Sequence, residues 1–174
     1  IISTNKSEMR KAFEKGNCSI PKFIEVTNCI INLKGFKFPL IVKPIDRSGS
    51  RGVTKVHCEK DLSEAINYAI NDSFSKKAIV EEYIEGDEVS VETISWKGQH
   101  TILTITDKVT TGPPHFVELA HHQPSNLQTD IQLCVLDLTL DFVRLSAPIA
   151  TGKLKFIVSI ISSPLEVGKR FNCV

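Results

Sequence analysis

Two short stretches of this chain carry residue types at spacings that suit chemistry. The first is Asp46-Arg47-Ser48-Gly49-Ser50-Arg51-Gly52, a polar loop with spaced glycines between the apolar runs 39–42 and 53–56. A loop of this kind can turn its backbone N–H groups inward and make a concavity that binds anions. Lys43, Arg47 and Arg51 add positive charge around it, which suits a polyphosphate. No Gly-Lys-Ser/Thr follows, so it is not a P-loop, and it is not Gly-x-Gly-x-x-Gly either. Taken alone, the loop also reads as an ordinary surface hairpin with solvated arginines. The second stretch is Glu81-Glu82-Tyr83-Ile84-Glu85-Gly86-Asp87-Glu88. It joins an apolar strand to one with strict alternation, Val89, Val91 and Ile94 against Ser90, Glu92 and Ser95. A short connector there can present free backbone N–H and C=O groups to an adenine edge. A carboxylate just after it can take both ribose hydroxyls.

The elements that must position these stretches follow from pattern. Asn5 can cap a helix with Glu8 at its third position, and Met9, Ala12 and Phe13 form the apolar stripe. Gly16 and then Pro21 end that helix, and an extended segment follows to Glu25. Strands over 39–43 and 53–56 flank the glycine loop and put Lys43 at a strand end, just before Pro44. An ammonium there needs a partner or a way out to water, so both snorkelling and a ligand role fit. Asp61-Leu62-Ser63-Glu64 has the form of a capping box, and Leu62, Ala65, Ile66, Ala69 and Ile70 repeat at helical spacing as core. A strand then runs over 78–83. Gly86 marks a hinge, and strands at 88–95 and 101–106 are joined by the turn Trp96-Lys97-Gly98-Gln99. Residues 106–124 read as a loop. The run 133–145 suits a buried helix capped near Thr129-Asp130, although Leu136, Leu138, Leu140 and Phe142 also alternate like a strand.

Composition narrows the class. A chain of 174 residues makes one ordinary domain or two small lobes. With 21 basic and 20 acidic residues there is no charge excess to draw nucleic acid. No apolar run approaches a membrane span, and IISTNKSEMR lacks the apolar core of a signal peptide. Cys18, Cys29, Cys58, Cys134 and Cys173 are odd in number and lack C-x-x-C spacing, which suits free thiols in a reducing cytosol. A soluble cytoplasmic protein is expected.

In order and spacing, IVKP, the RSGSRGV loop and VEEYIEGDEVSVE together resemble the nucleotide-binding half of an ATP-grasp carboxylate–amine ligase. That superfamily also includes the ATP-grasp domains of carbamoyl phosphate synthase and biotin carboxylase. The resemblance implies an α+β fold in which two α+β lobes clamp the nucleotide. Residues 1–36 would be a linker helix and lead-in, 37–85 the first lobe with the glycine loop, and 86–174 the second lobe with a degenerate or truncated C-terminus. Family members carry a whole domain ahead of this point, so the sequence reads as a fragment. Segment TDKVTTGPPHFVELAHHQPS further resembles the amino-acid ligases that join two amino acids into a dipeptide.

The resemblance also assigns roles. Lys6 matches the lysine of a Lys-x-x-Met-Arg helix and would reach phosphate, although alone it reads as a solvated first-turn lysine. Lys43 would pair with the α- or β-phosphate, and Ser48, Gly49, Ser50, Arg51, Gly52 and Val53 would cover the phosphates. Glu81, Glu82, Tyr83 and Ile84 would hold adenine, with Glu88 on the ribose. Glu118 and His121 match an E-x-x-H pair that contacts the amino-acid substrate, while by themselves His115, His121 and His122 read as loop histidines. The cofactors implied are ATP and magnesium (or manganese). Glu166 matches one metal carboxylate and Arg170 a catalytic arginine, but Gly152, or Lys153 in a shifted register, stands where the first carboxylate should be. The implied reaction forms an amide through an acyl phosphate from small carboxylate and amine substrates, amino acids by the resemblance. The alternative is a degraded or truncated relative that binds nucleotide without ligating. Neither nucleic acid nor membrane is expected as a partner, and a homodimer is compatible with the resemblance.

Overall fold

The computed structural model describes residues 4–146 and 154–162. They divide into two compact units. The first comprises 4–11, 20–83 and 110–118, and the second 12–19, 84–109, 119–146 and 154–162.

Helix α1 (Lys6–Lys15), which belongs to the first unit as far as Lys11, starts as the sequence predicts, with the Glu8 N–H donating to the Asn5 side chain at 3.1 Å. In the rest of the first unit the chain builds a sheet. Strands β1 (Phe23–Val26), β2 (Leu40–Pro44), β3 (Thr54–Val56) and β4 (Ala78–Glu82) make an antiparallel sheet in the order β1-β4-β2-β3. Helix α2 (Leu62–Asp72) buries Leu62, Ala65, Ile66 and Ala69 against one face of it. That face shows Val26, Leu40, Val42, Val56, Ala78 and Val80, the alternate residues of their strands. The helix does not begin as a capping box. A 3-10 turn over Glu59–Asp61 precedes it, Asp61 is already helical, and its carboxylate accepts from the Cys58 thiol at 3.0 Å instead of from the helix.

In the second unit, β5 (Asp87–Trp96), β6 (Gln99–Thr110), β7 (Glu118–His122) and β8 (Leu154–Ser162) form a sheet in the order β7-β6-β5-β8. The β5–β6 turn is the two-residue type expected, with Lys97 and Gly98 both at positive φ (48° and 79°). The sheet takes in more of the chain than the pattern suggested. Strand β6 runs on to Thr110, and 118–122, read as loop, is the edge strand. Helix α3 (Thr129–Ser146) settles the helix-or-strand ambiguity, for Val135, Thr139 and Val143 are buried at four-residue spacing. Val135 packs with Val89, Val91 and Ile105 of the sheet. Among the described residues no helix is long and apolar enough to cross a membrane.

Candidate functional site

The face of the first sheet that α2 does not cover carries charge. Because side chains alternate along a strand, burying Leu40 and Val42 under α2 turns Ile41 and Lys43 to the other side. The same holds on β4 for Ile79 and Glu81. The register pairs Lys43 with Ile79 and Ile41 with Glu81, so Lys43 and Glu81 are diagonal neighbours on one face. Lys43 Nζ lies 2.6 Å from Glu81 Oε2. Arg10, one turn after Lys6 on α1, grips the same carboxylate with Nε at 2.7 Å and Nη2 at 3.3 Å. Glu81 is 3% exposed. Burial alone would push its carboxyl up, but Lys43 and Arg10 overcome that and hold it at about 2.

Lys6 completes the cluster. Its backbone N–H donates to the Ile45 carbonyl at 2.8 Å, and its ammonium donates to the Arg47 carbonyl, so it sits where β2 passes into the glycine loop. Burial, and then the charge of Lys43, lower its pKa to about 8. The carboxylates of Glu81 and Asp46 offset this only in part.

The glycine loop is built on two requirements of the backbone. Gly49 and Ser50 both take positive φ (67° and 56°), and Gly52 does so at 68° beside the Pro44 ring. A Cβ on Gly52 would lie 2.6 Å from Pro44 Cγ, so only glycine fits. Within the loop the Val53 N–H donates to Ser50 C=O at 3.4 Å, while the N–H groups of Ser48 to Gly52 join no other backbone among the described residues. Arg51 is exposed. Arg47 lies elsewhere than the pattern suggested: its guanidinium bonds the Asp72 carbonyl at 2.5 Å and stacks 3.8 Å over the Phe74 ring, at the end of α2. Asp46 caps the following turn, accepting from Ser73 Oγ and the Phe74 and Ser75 N–H groups. A small hairpin seats on the loop. The Thr111 N–H donates to Val117 C=O, Ser50 Oγ donates to Phe116 C=O at 2.8 Å, and His115 Nδ1 donates to Val53 C=O at 2.9 Å.

The connector after β4 is less open than its sequence suggests. The Glu82 N–H donates to Lys22 C=O at 3.0 Å and the Tyr83 N–H to Pro39 C=O at 3.2 Å. The Tyr83 ring instead carries Lys55 Nζ 3.5 Å over its centre. Ile84 is the first residue of the connector whose N–H has no such backbone partner among the described residues. In the second unit Glu88 Oε1 accepts from Lys108 Nζ at 2.6 Å, and Lys108 is the more deeply buried of the two. Glu118 and His121 are both exposed on β7, three residues apart, so strand alternation points them to opposite faces. Gly152, Lys153, Glu166 and Arg170 lie outside the described residues.

Two residues of this geometry had no role in the sequence reading. Arg10 was legible as the partner of Lys6 at i, i+4 on one helix face, within the Lys-x-x-Met-Arg motif. Lys108 was not, because its place opposite Glu88 depends on a bulge. Counting back from the turn, where Trp96 pairs Gln99, would set Asp107 against Glu88. An extra residue between Ile102 and Thr104 moves the register by one, so Asp107 pairs Val89 and Lys108 comes to Glu88.

Comparison with known proteins agrees with this architecture. The ATP-grasp domain family matches residues 36–145, well over half of the chain, and the chain belongs to that family. Among curated relatives, a D-alanine–D-alanine ligase of Vesicomyosocius okutanii is 26% identical over 93% of this chain and 56% of its own length. One from Flavobacterium psychrophilum is 35% identical over 42% of this chain and 22% of its own. The chain thus spans about half, or less, of the curated relatives it matches. Among solved structures, the VanG D-Ala:D-Ser ligase of Enterococcus faecalis superposes with a TM-score of 0.78 at 17% identity, covering 94% of this chain and 50% of that one. The L-amino acid ligase of Bacillus licheniformis does so at 0.70 and 24%, covering 83% and 34%. Both likenesses establish the fold.

Proposed function

We propose that this chain is the ATP-binding domain of an ATP-dependent carboxylate–amine ligase that forms an amide through an acyl phosphate. The observation that best supports this is the charge around the mouth of the glycine loop. Lys6, Lys43 and Arg10 gather there about one buried carboxylate, Glu81, while the Asp46 carboxylate caps another turn. An excess of positive charge beside unpaired backbone N–H groups is what a polyphosphate neutralises. In this reading Lys6, Lys43 and the backbone from Ser48 to Val53 hold phosphates. The Ile84 N–H meets adenine, and Glu88, whose Oε1 accepts from Lys108, takes the ribose. Glu81 acts on the nucleotide through Lys43.

By likeness to the amino-acid ligases, the acceptor and donor are small carboxylates and amines. A carboxylate oxygen attacks the γ-phosphorus and ADP departs. The amine nitrogen then attacks the acyl carbon, phosphate departs and a proton is released. The chain contributes positioning and charge neutralisation. Glu118 and His121 face opposite ways on β7, so one of them, not both, would line the substrate side. Magnesium would supply further neutralisation of the phosphates when bound, with Glu166 as its expected ligand.

Calorimetry of ATP binding to wild type and to Lys43→Ala, with and without magnesium, tests the nucleotide reading. Wild-type binding that weakens about tenfold or more in the variant is expected, since a charge-assisted contact is removed. Equal binding by the two proteins, or none by wild type, overturns it. Phosphate release that requires both a carboxylate and an amine substrate tests the ligase reading.

A further inference from the structure

We propose that Arg10 is a positioning residue for the phosphate-binding lysine, acting through Glu81 without touching the nucleotide. This inference rests on the nucleotide reading above and adds a residue to it. Both oxygens of the Glu81 carboxylate are engaged, with Oε1 on Arg10 Nε and Oε2 shared by Arg10 Nη2 and Lys43 Nζ. It is buried, so no water competes for it. A carboxylate facing Lys43 alone would form a closed, neutral pair, and the lysine would offer little charge to a second anion. With Arg10 on the other side, the trio of two cations and one carboxylate keeps a net positive charge. Glu81 then fixes where the Lys43 ammonium sits, and Arg10 offsets the charge that fixing it would otherwise cancel. The geometry allows this division of labour, because Lys43 remains 18% exposed while the carboxylate is 4% exposed at its side chain. Lys6 belongs to the same arrangement, since after burial the charge of Lys43 lowers its pKa while that of Glu81 raises it.

Because Arg10 and Lys6 both come from α1, the arrangement also makes the helix a supplier of charge to the sheet. Its bidentate grip is a planar fork that lysine cannot reproduce. Lysine can still supply the charge, which separates geometry from electrostatics in the test.

The test measures adenosine and ATP dissociation constants, by competition against a fluorescent ATP analogue, on wild type, R10Q, R10K and R10Q/E81Q. In R10Q the carboxylate retains Lys43 as its sole partner, and ATP affinity should fall roughly five- to tenfold, the scale of one unit charge acting through a partly screened site. Adenosine, which has no phosphate for Lys43 to meet, should change less than twofold in affinity. R10K should recover most of the loss. In R10Q/E81Q the ammonium is released from its pair, though no longer fixed in place, and ATP should bind at least about twofold more tightly than to R10Q, although more of the local structure has been removed. A merely structural arginine predicts the opposite order, with adenosine and ATP weakened alike and the double variant worse than the single one. Either of those results, or unchanged ATP binding in R10Q, overturns the proposal. If R10Q does not fold, judged by circular dichroism, the double variant decides alone, and a loss beyond tenfold refutes the relay. Wild type that binds no ATP overturns the nucleotide reading and this inference with it.

Discussion

Replacing Glu81 with glutamine keeps the shape of the side chain and removes the charge on which Arg10 and Lys43 converge. The carboxyl is held at about 2 against an ordinary 4.5, burial pushing it up and Lys43 and Arg10 pulling it further down. At about 1.4 kcal/mol per pH unit, that difference corresponds to about 3 kcal/mol favouring the ionised form in the folded chain. It agrees with the ~3–5 kcal/mol found when one partner of a buried ion pair is removed. The sign follows from a depressed folded-state pKa. The contribution is complete above pH 4.5 and is lost as pH falls through that value toward 2. Urea unfolding of wild type and E81Q, followed by far-UV circular dichroism, should therefore show E81Q less stable by about 3 kcal/mol at pH 7. The gap should close as the pH is lowered to about 2, where wild type is itself protonated. Glu25, Asp46 and Asp107 are also depressed, and they lower the stability of both proteins together, so only the difference is diagnostic. A gap under about 1 kcal/mol at pH 7, or one that does not narrow in acid, refutes the reasoning.

The glycine loop supplies a paired prediction. Gly52→Ala meets the Pro44 ring at 2.6 and 2.9 Å as well as an unfavourable φ, and should lower stability by about 2 kcal/mol or more and weaken ATP binding. Gly49→Ala has the same kind of φ but open space around it, and thermal unfolding should show a cost of only about 1 kcal/mol. Lys6, with its pKa lowered to about 8 by burial and by Lys43, should take up a proton when an anion arrives. ATP affinity should then fall as pH rises above 8. Calorimetry at that pH in buffers of different ionisation enthalpy should register net proton uptake, and Lys6→Met should abolish it.

Local signals in this chain were legible where a residue's conformation depends on its own neighbours in sequence. Asn5 and Glu8 mark the start of α1, and the Leu62–Ala69 stripe marks the buried face of α2. The Lys97-Gly98 turn and the glycines of the loop follow from the φ values those residues accept. Asp61 shows where such reasoning stops, for the cap pattern is present, yet a preceding 3-10 turn already holds the residue in helical geometry. Arg47 shows it again, since its guanidinium has a better partner in the carbonyl and carboxylate of Asp72, 25 residues away, than in the loop it begins.

What the sequence by itself determined was the glycine loop and the order of strands, loop and helix around it, because cap, turn and alternation rules act over a few residues. Tertiary structure alone decided which charges meet. The β2–β4 register brings Lys43 beside Glu81, and the seating of α1 adds Arg10 to the same carboxylate. One bulged residue in β6 gives Glu88 a lysine instead of an aspartate as its neighbour. Electrostatic partnership is a property of distance across strands, and a one-residue change of register rewrites it while leaving every local signal intact.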